Sequence, residues 1–363
     1  MINILVPLSG TDTFKVSAIN KFPRILNDID GKLLIERAAK PFLDLNFDYQ
    51  ITVALPQPEA SKYQLNNVLQ LLGDRIKSCA INGNTQGAVC SALLAIEELE
   101  LDEPLVITSF EQVLDFDINR HIQTFIDEKV DAGVFTFEAM HPKWSYVKVD
   151  NANFVTQAAE KMPISNKAIA GLYYFKSAAL FIESAKAMIR KDVKTNGSFY
   201  IAPTLNEVIL KEGKVKAIDI DKSHYFHVID DHDLTHYEQK VIDNNNKQKA
   251  KIQSKTKEYI TAFGCKKIES VIEFFDEDFL LADPAGKFQG KELVRSYIMS
   301  IFNSTESLEF NAKRIYVTEE LESIIEFELI IDGSIFVGTD VIKWNNQLLM
   351  EEMKAYLYEV NNG

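Results

Sequence analysis

The amino end carries Ile2-Asn3-Ile4-Leu5-Val6-Pro7-Leu8, a short apolar run with β-branched members that stops at Ser9-Gly10. That is the pattern of a buried strand entering a loop. Apolar spacing then switches between helical and extended periods. Helices are expected over 33–45, 63–72 and 88–99, and strands over 49–55 and 104–108. Strands alternating with helices favour a mostly parallel sheet covered on both faces, an α/β Rossmann-like arrangement. Further strands over 132–137, 145–149 and 170–175, with a helix over 177–190, extend this unit to residue 239. Residues 240–254 are polar, Asn/Lys-rich and offer little to bury, as linkers do. From 255 to 363 the order changes. Helices over 255–263, 266–274 and 290–302 precede alternating strands over 309–317, 322–331, 333–344 and 347–359, which is an α+β pattern.

Composition narrows the classes. A chain of 363 residues accommodates two domains at about 150 residues each. With 46% hydrophobic and 25% charged residues it is too apolar for disorder. The net charge is −14, the 255–363 segment carries −9 of it, and no Lys/Arg block occurs. Such a surface repels a phosphate backbone, so nucleic acid is a poor partner. No apolar run approaches the ~18 residues of a membrane span, and the amino end lacks a cationic leader, so a cytoplasmic location is expected. Cys79, Cys90 and Cys265 are odd in number and unpaired in spacing, which suits a reducing compartment better than a disulfide or zinc framework.

In a parallel α/β sheet, ligands bind at the carboxyl ends of the strands, so the loop after the first strand is the first place to seek chemistry. It contains Gly10, hydroxyls, and the cations Lys15, Lys21 and Arg24. Backbone N–H groups near Gly10 could face phosphates and the cations could neutralise them. On residue types alone, a solvated loop with scattered charges is the favoured reading. Several segments together change that weighting. They are Lys21-Phe22-Pro23-Arg24-Ile25-Leu26 with Asp30-Gly31-Lys32-Leu33-Leu34-Ile35, then Asn84-Thr85-Gln86-Gly87-Ala88, Glu160-Lys161 with Pro163, and Ala170-Gly171-Leu172-Tyr173-Tyr174-Phe175. Over residues 1–237 this set resembles the sugar-phosphate nucleotidyltransferases. His141-Pro142-Lys143-Trp144-Ser145-Tyr146 resembles a subset in capsule and lipopolysaccharide biosynthesis.

The resemblance implies attack by a sugar-phosphate oxygen on the α-phosphorus of a nucleoside triphosphate, with pyrophosphate leaving and Mg2+ as cofactor. By resemblance, Gly10, Thr11, Asp12, Gln86 and Gly87 would bind the nucleotide, and Arg24 and Lys15 would serve as the catalytic cations. Glu160, Lys161 and Gly171 would hold the acceptor, a phosphorylated sugar or similar small alcohol, and Glu111 and Asp230 would hold the metal. The signature loop departs from the family pattern, with Asp12 where Gly is usual and Phe14 where the triphosphate-binding Arg is usual. Arg24 stands where the catalytic Lys is expected, and Glu111 where an Asp is expected. Each substitution disfavours or alters anion binding, so a catalytically impaired nucleotide- or sugar-nucleotide-binding relative with a regulatory or scaffold role is the alternative. His227 and His232, without paired spacing, are expected to be surface or satisfied structural histidines.

Residues 255–359 resemble a SnoaL-like, nuclear-transport-factor-type cone. Tyr259, Phe275, Asp283, Tyr297, Glu326, Asp340 and Trp344 are the inward candidates. Their mixture of aromatics and carboxylates suits a small-molecule cavity and equally a dry core. Homodimerisation through this domain is expected from the fold, and a lyase or isomerase activity centred on Asp283 is the third reading.

Overall fold

A computed structural model describes residues 1–8, 13–16 and 20–360. The chain divides into two compact units, Met1–Gln239 and Lys240–Gly363. In the first, β1 (Ile2–Pro7), β2 (Asp28–Ile29) and β3 (Lys32–Leu33) lead into α1 (Leu34–Leu43). There follow β4 (Tyr49–Pro56), α2 (Gln57–Lys62), α3 (Leu65–Leu72), β5 (Ile76–Ile81) and α4 (Ala88–Leu94). Next come β6 (Leu105–Ile107), β7 (Gln112–Leu114), α5 (Asn119–Asp127), β8 (Ala132–Glu138), β9 (Ser145–Val149), β10 (Val155–Glu160) and β11 (Lys167–Phe175). The unit closes with α6 (Ala178–Arg190), α7 (Thr204–Leu210), β12 (Val215–Asp219) and β13 (Tyr225–His227), ahead of α8 (Asp231–Gly264).

The main sheet runs β5-β4-β1-β6-β11-β8-β12, with β9 and β10 attached beside β11. β1 is parallel to β4 and β6, and β4 to β5. Within that order β11 is the reversed strand, antiparallel to both β6 and β8, while β12 is parallel to β8. This reversal positions chemistry. Because Tyr173 pairs with Ile107, the last residue of β6, the earlier part of β11 projects past the carboxyl end of that strand and delivers Gly171 there. β1 is buried throughout its apolar run, and its one polar residue, Asn3, is satisfied. The Asn3 amide donates to Glu100 O at 2.9 Å and accepts from Glu100 N at 3.1 Å. Buried polar groups survive only when paired in this way.

Some local expectations fail for physical reasons. The helix expected over 88–99 ends at Leu94 and continues as a short 3-10 turn, Ile96–Glu98. β5 escapes the apolar pattern because its middle residues are exposed or half-buried. The polar stretch 240–254, expected as a linker, is helical and lies within the 34 residues of α8. Of the positions there only Val241 and Ile252 are buried, so a sparse apolar minority was hidden among Asn, Gln and Lys.

In the second unit α9 (Ile268–Ile272), β14 (Phe275–Asp283), β15 (Gly286–Gln289) and α10 (Lys291–Ser304) precede β16 (Leu308–Val317), β17 (Glu322–Ile331), β18 (Ser334–Trp344) and β19 (Met350–Glu359). The sheet order is β15-β14-β19-β18-β17-β16, with antiparallel pairs except β14 beside β19. The β14–β15 hairpin interrupts the expected order of helices first and strands afterwards. Its acidic Asp276-Glu277-Asp278 segment concealed an inner face on which Phe275, Phe279 and Leu281 are buried.

Candidate functional site

Gly10, Thr11 and Asp12 lie outside the described residues. The residues just after them turn inward. Thr13 is buried, and its hydroxyl donates to Glu111 Oε2 at 3.1 Å. Phe14 is also buried, as part of the hydrophobic core, while the Lys15 side chain is exposed. Arg24 follows Pro23, which precedes the short 3-10 turn Arg24–Leu26. Its Nη2 lies 3.4 Å from Glu111 Oε1, with the two side chains only 11% and 20% exposed. The cation expected on phosphate and the carboxylate expected on metal are therefore each other's partners. Shielded from water, such a pair gains little beyond its cost of desolvation, but removing one member strands the other charge.

Glu111 is held from the backbone as well. Its N–H donates to Ser109 Oγ at 3.1 Å and its carbonyl accepts from Val228 N at 2.8 Å. The neighbouring Gln112 is buried and fully used. Its Nε2 donates to Gly171 O at 2.8 Å and Thr108 Oγ1 at 3.0 Å, and its Oε1 accepts from Tyr225 OH at 3.0 Å. Gly171 has φ +61, and a Cβ there would fall 1.9 Å from Gln112 Oε1. Glycine is needed on both counts: the left-handed backbone and the absence of room.

Glu160, at the end of β10, accepts from Ser145 Oγ of β9 at 2.5 Å. Burial raises its carboxyl above the ordinary range, opposed by the Ser145 hydrogen bond and the Lys161 charge. Lys161 follows the last residue of β10 and has φ +55, in the left-handed region. Its Nζ donates to Tyr200 OH at 2.9 Å and lies 4.8 Å from the ring centroid. Residue 199, next to that tyrosine, meets the other loop. Phe199 N donates to Gln86 O at 2.7 Å, and Phe199 O accepts from Val89 N at 3.2 Å. Gly87 has φ +110, and a Cβ on it would stand 2.5 Å from Phe199 O.

Two dipeptides thus join the expected residues. Glu111-Gln112 connects Thr13 and Arg24 to Gly171, and Phe199-Tyr200 connects Gln86 and Gly87 to Lys161. Asp230 is not among the residues so joined. It is exposed and accepts from Asp233 N at 2.8 Å at the start of α8, grouped with His232 and Asp233. As to a metal, Glu111 already engages Thr13 and Arg24 through its two oxygens, so the Arg24 guanidinium offsets the charge that a divalent ion would need from this carboxylate.

His227 corrects the expectation of a surface or satisfied ring. Its Nδ1 is buried without a hydrogen-bond partner among the described residues. Burial, with the Lys143 and Arg24 charges, pushes its pKa down to about 4. Trp144 packs 5.1 Å from it, and Lys143 Nζ lies 4.7 Å from the Trp144 centroid. The signal lay in the Lys143-Trp144 dipeptide, but the packing of His227 beside it is a tertiary fact.

No family model and no curated protein matches the chain. Solved structures do. A nucleoside-diphosphate-sugar pyrophosphorylase from Vibrio cholerae RC9 is 20% identical with a TM-score of 0.57, over 66% of this chain and 100% of that one. A UDP-glucose pyrophosphorylase complexed with UDP-glucose is 14% identical with a TM-score of 0.54, over 67% of this chain and 100% of that one. A UTP-bound UGPase from Acinetobacter baumannii is 14% identical with a TM-score of 0.52, over 66% of this chain and 93% of that one. At these identities the likeness establishes the fold alone: over the covered part, the chain shares the Rossmann-like, mostly parallel sheet of those structures.

Proposed function

We propose that the N-terminal unit transfers a nucleoside monophosphate from a nucleoside triphosphate to a sugar phosphate or similar phosphorylated small molecule, releasing pyrophosphate, in the making of surface polysaccharide. The observation that carries this reading is that the expected residues fall into two joined sets, Arg24, Glu111 and Gly171 through Glu111-Gln112, and Gln86, Gly87 and Lys161 through Phe199-Tyr200. Glu111 and Gln86 lie on the segments that leave the carboxyl ends of the parallel strands β6 and β5, where such sheets bind ligands. In-line phosphoryl chemistry depends on positioning and countercharge, which is what such a cluster supplies. Glu160 would take a hydroxyl of the acceptor and Lys161 its phosphate. Purified protein incubated with Mg2+, each nucleoside triphosphate and a panel of sugar 1-phosphates is expected to release pyrophosphate. Silence across the panel would count against transfer.

The Arg24–Glu111 pair favours a second reading, a relative that binds nucleotide or sugar nucleotide without turnover. A pyrophosphate ester needs only Arg24 to change partners, whereas a magnesium triphosphate also needs Glu111 released. Calorimetry separates the two: binding undiminished by EDTA and without pyrophosphate release supports the binding role. We also propose that the second unit is of the SnoaL-like kind and pairs the chain as a homodimer. Tyr316, Tyr356 and Tyr358 are exposed on its strands. Sedimentation is expected to show twice the chain mass.

A further inference from the structure

The second unit encloses a cavity of about 100 Å³ whose walls are aromatic and aliphatic. Two carboxylates line it, Asp283 from β14 and Asp340 from β18, and no Lys, Arg or His is among its described lining residues. Asp283 is fixed. Its Oδ1 accepts from the N–H groups of Ala285 at 2.9 Å and Gly286 at 3.1 Å, and its Oδ2 accepts from Tyr297 OH at 2.5 Å. Tyr297 is itself pinned by Phe288, stacked 4.0 Å away. Asp340 is the opposite case. It is 4% exposed, yet its Oδ1 has no hydrogen-bond partner among the described residues. A buried acceptor left unmatched is costly, and a fold tolerates one where something else supplies the donor.

We propose that this cavity is a binding site for a small primary ammonium with a compact apolar body, its cationic head on Asp340 and its body against the aromatic wall. Two carboxylates without a lining cation repel an anion and attract a cation. Aromatic faces add a further attraction for ammonium. The volume sets the size, since a cavity of 150 Å³ takes up benzene, and here a body of about five heavy atoms is the match. Burial and the charge of Asp283 raise the Asp340 pKa to about 7. Tyr259, whose hydroxyl lies 3.8 Å from Met353 Sδ, and Tyr297 are the other titratable groups lining the space, and both stay protonated. Entry of an ammonium therefore drives a proton off whatever fraction of Asp340 carries one, and no covalent step is involved. The inference is independent of the function proposed for the first unit.

The test is calorimetric titration of the full chain with isoamylamine, isoamyl alcohol and isovalerate, near-isosteres that differ in the head group. At pH 7 the amine is expected to bind at least tenfold more tightly than the alcohol, and isovalerate not at all. Repeating the amine titration in buffers of different ionisation enthalpy should show up to one proton released at pH 6 and none at pH 9. Asp340→Asn, an isosteric change, should abolish the release and weaken the amine at least tenfold. Ala355→Phe, which fills the space from β19, should remove binding of the amine and the alcohol together. Equal affinity for alcohol and amine, unchanged amine binding by Asp340→Asn, or no heat with the amine would each overturn the proposal.

Discussion

At the scale of single residues, buried polar groups decide most of what can be tested. Gln112 matches all of its near neighbours, and a side chain at 171 would collide with it. Gly171→Ala should cost about 2–3 kcal/mol, from left-handed strain plus broken buried hydrogen bonds, read as a lowered denaturation midpoint. His227 makes an opposite use of burial. Its folded pKa, near 4, lies below the unfolded value of about 6.5, so the unfolded chain binds the extra proton. The stability this neutral ring contributes is complete above pH ~6.5 and is lost as pH falls through 4. His227→Phe should flatten the acid limb of the stability curve, and imidazole NMR should titrate near 4. Asp340 carries the reverse sign. A folded pKa of about 7 against an unfolded value near 3.9 favours the fold most at low pH, and the advantage disappears as pH rises through 7. Asp340→Asn should remove that slope. At this scale the sequence was informative where a residue type is demanding, as with Gly87 and Gly171. It was silent on His227 and on the mutual pairing of Arg24 and Glu111, because a partner 87 residues away leaves no mark on local spacing.

Elements were legible where one face is apolar and the period is clean. β1, β4 and β8 read directly because they are buried along nearly their whole length. α6, expected over 177–190, was legible as well, and it is capped by Ser177, whose hydroxyl accepts from Leu180 N at 3.2 Å. β14 and α8 did not, since acidic or amide side chains dominate their exposed faces and the apolar minority is sparse. α8 offers a direct check. Asn246 is exposed within it, and Asn246→Pro in a helix interior should cost about 3 kcal/mol, where a flexible linker would accept proline without penalty. Circular dichroism with denaturant titration distinguishes these outcomes.

For the whole molecule, two units with separate cores mean that a ligand of one need not report on the other. A nucleotide bound by the N-terminal unit at 100 times its dissociation constant should stabilise that unit by about 2.7 kcal/mol. Thermal scans with each nucleoside triphosphate should raise the corresponding transition by several degrees, and Arg24→Ala should reduce that rise. No helix among the described residues is long and apolar enough to cross a membrane. The acidic balance of −14 repels polyanions in general. Against that background Lys143 and Arg24 both act on His227 and so place positive charge around it.

The inward turn of Phe14 fixes what a charge at that position would meet. An arginine placed there would push a permanent cation into hydrocarbon rather than toward a ligand. One step along the chain, at Lys15, the side chain is exposed and a cation would keep its water.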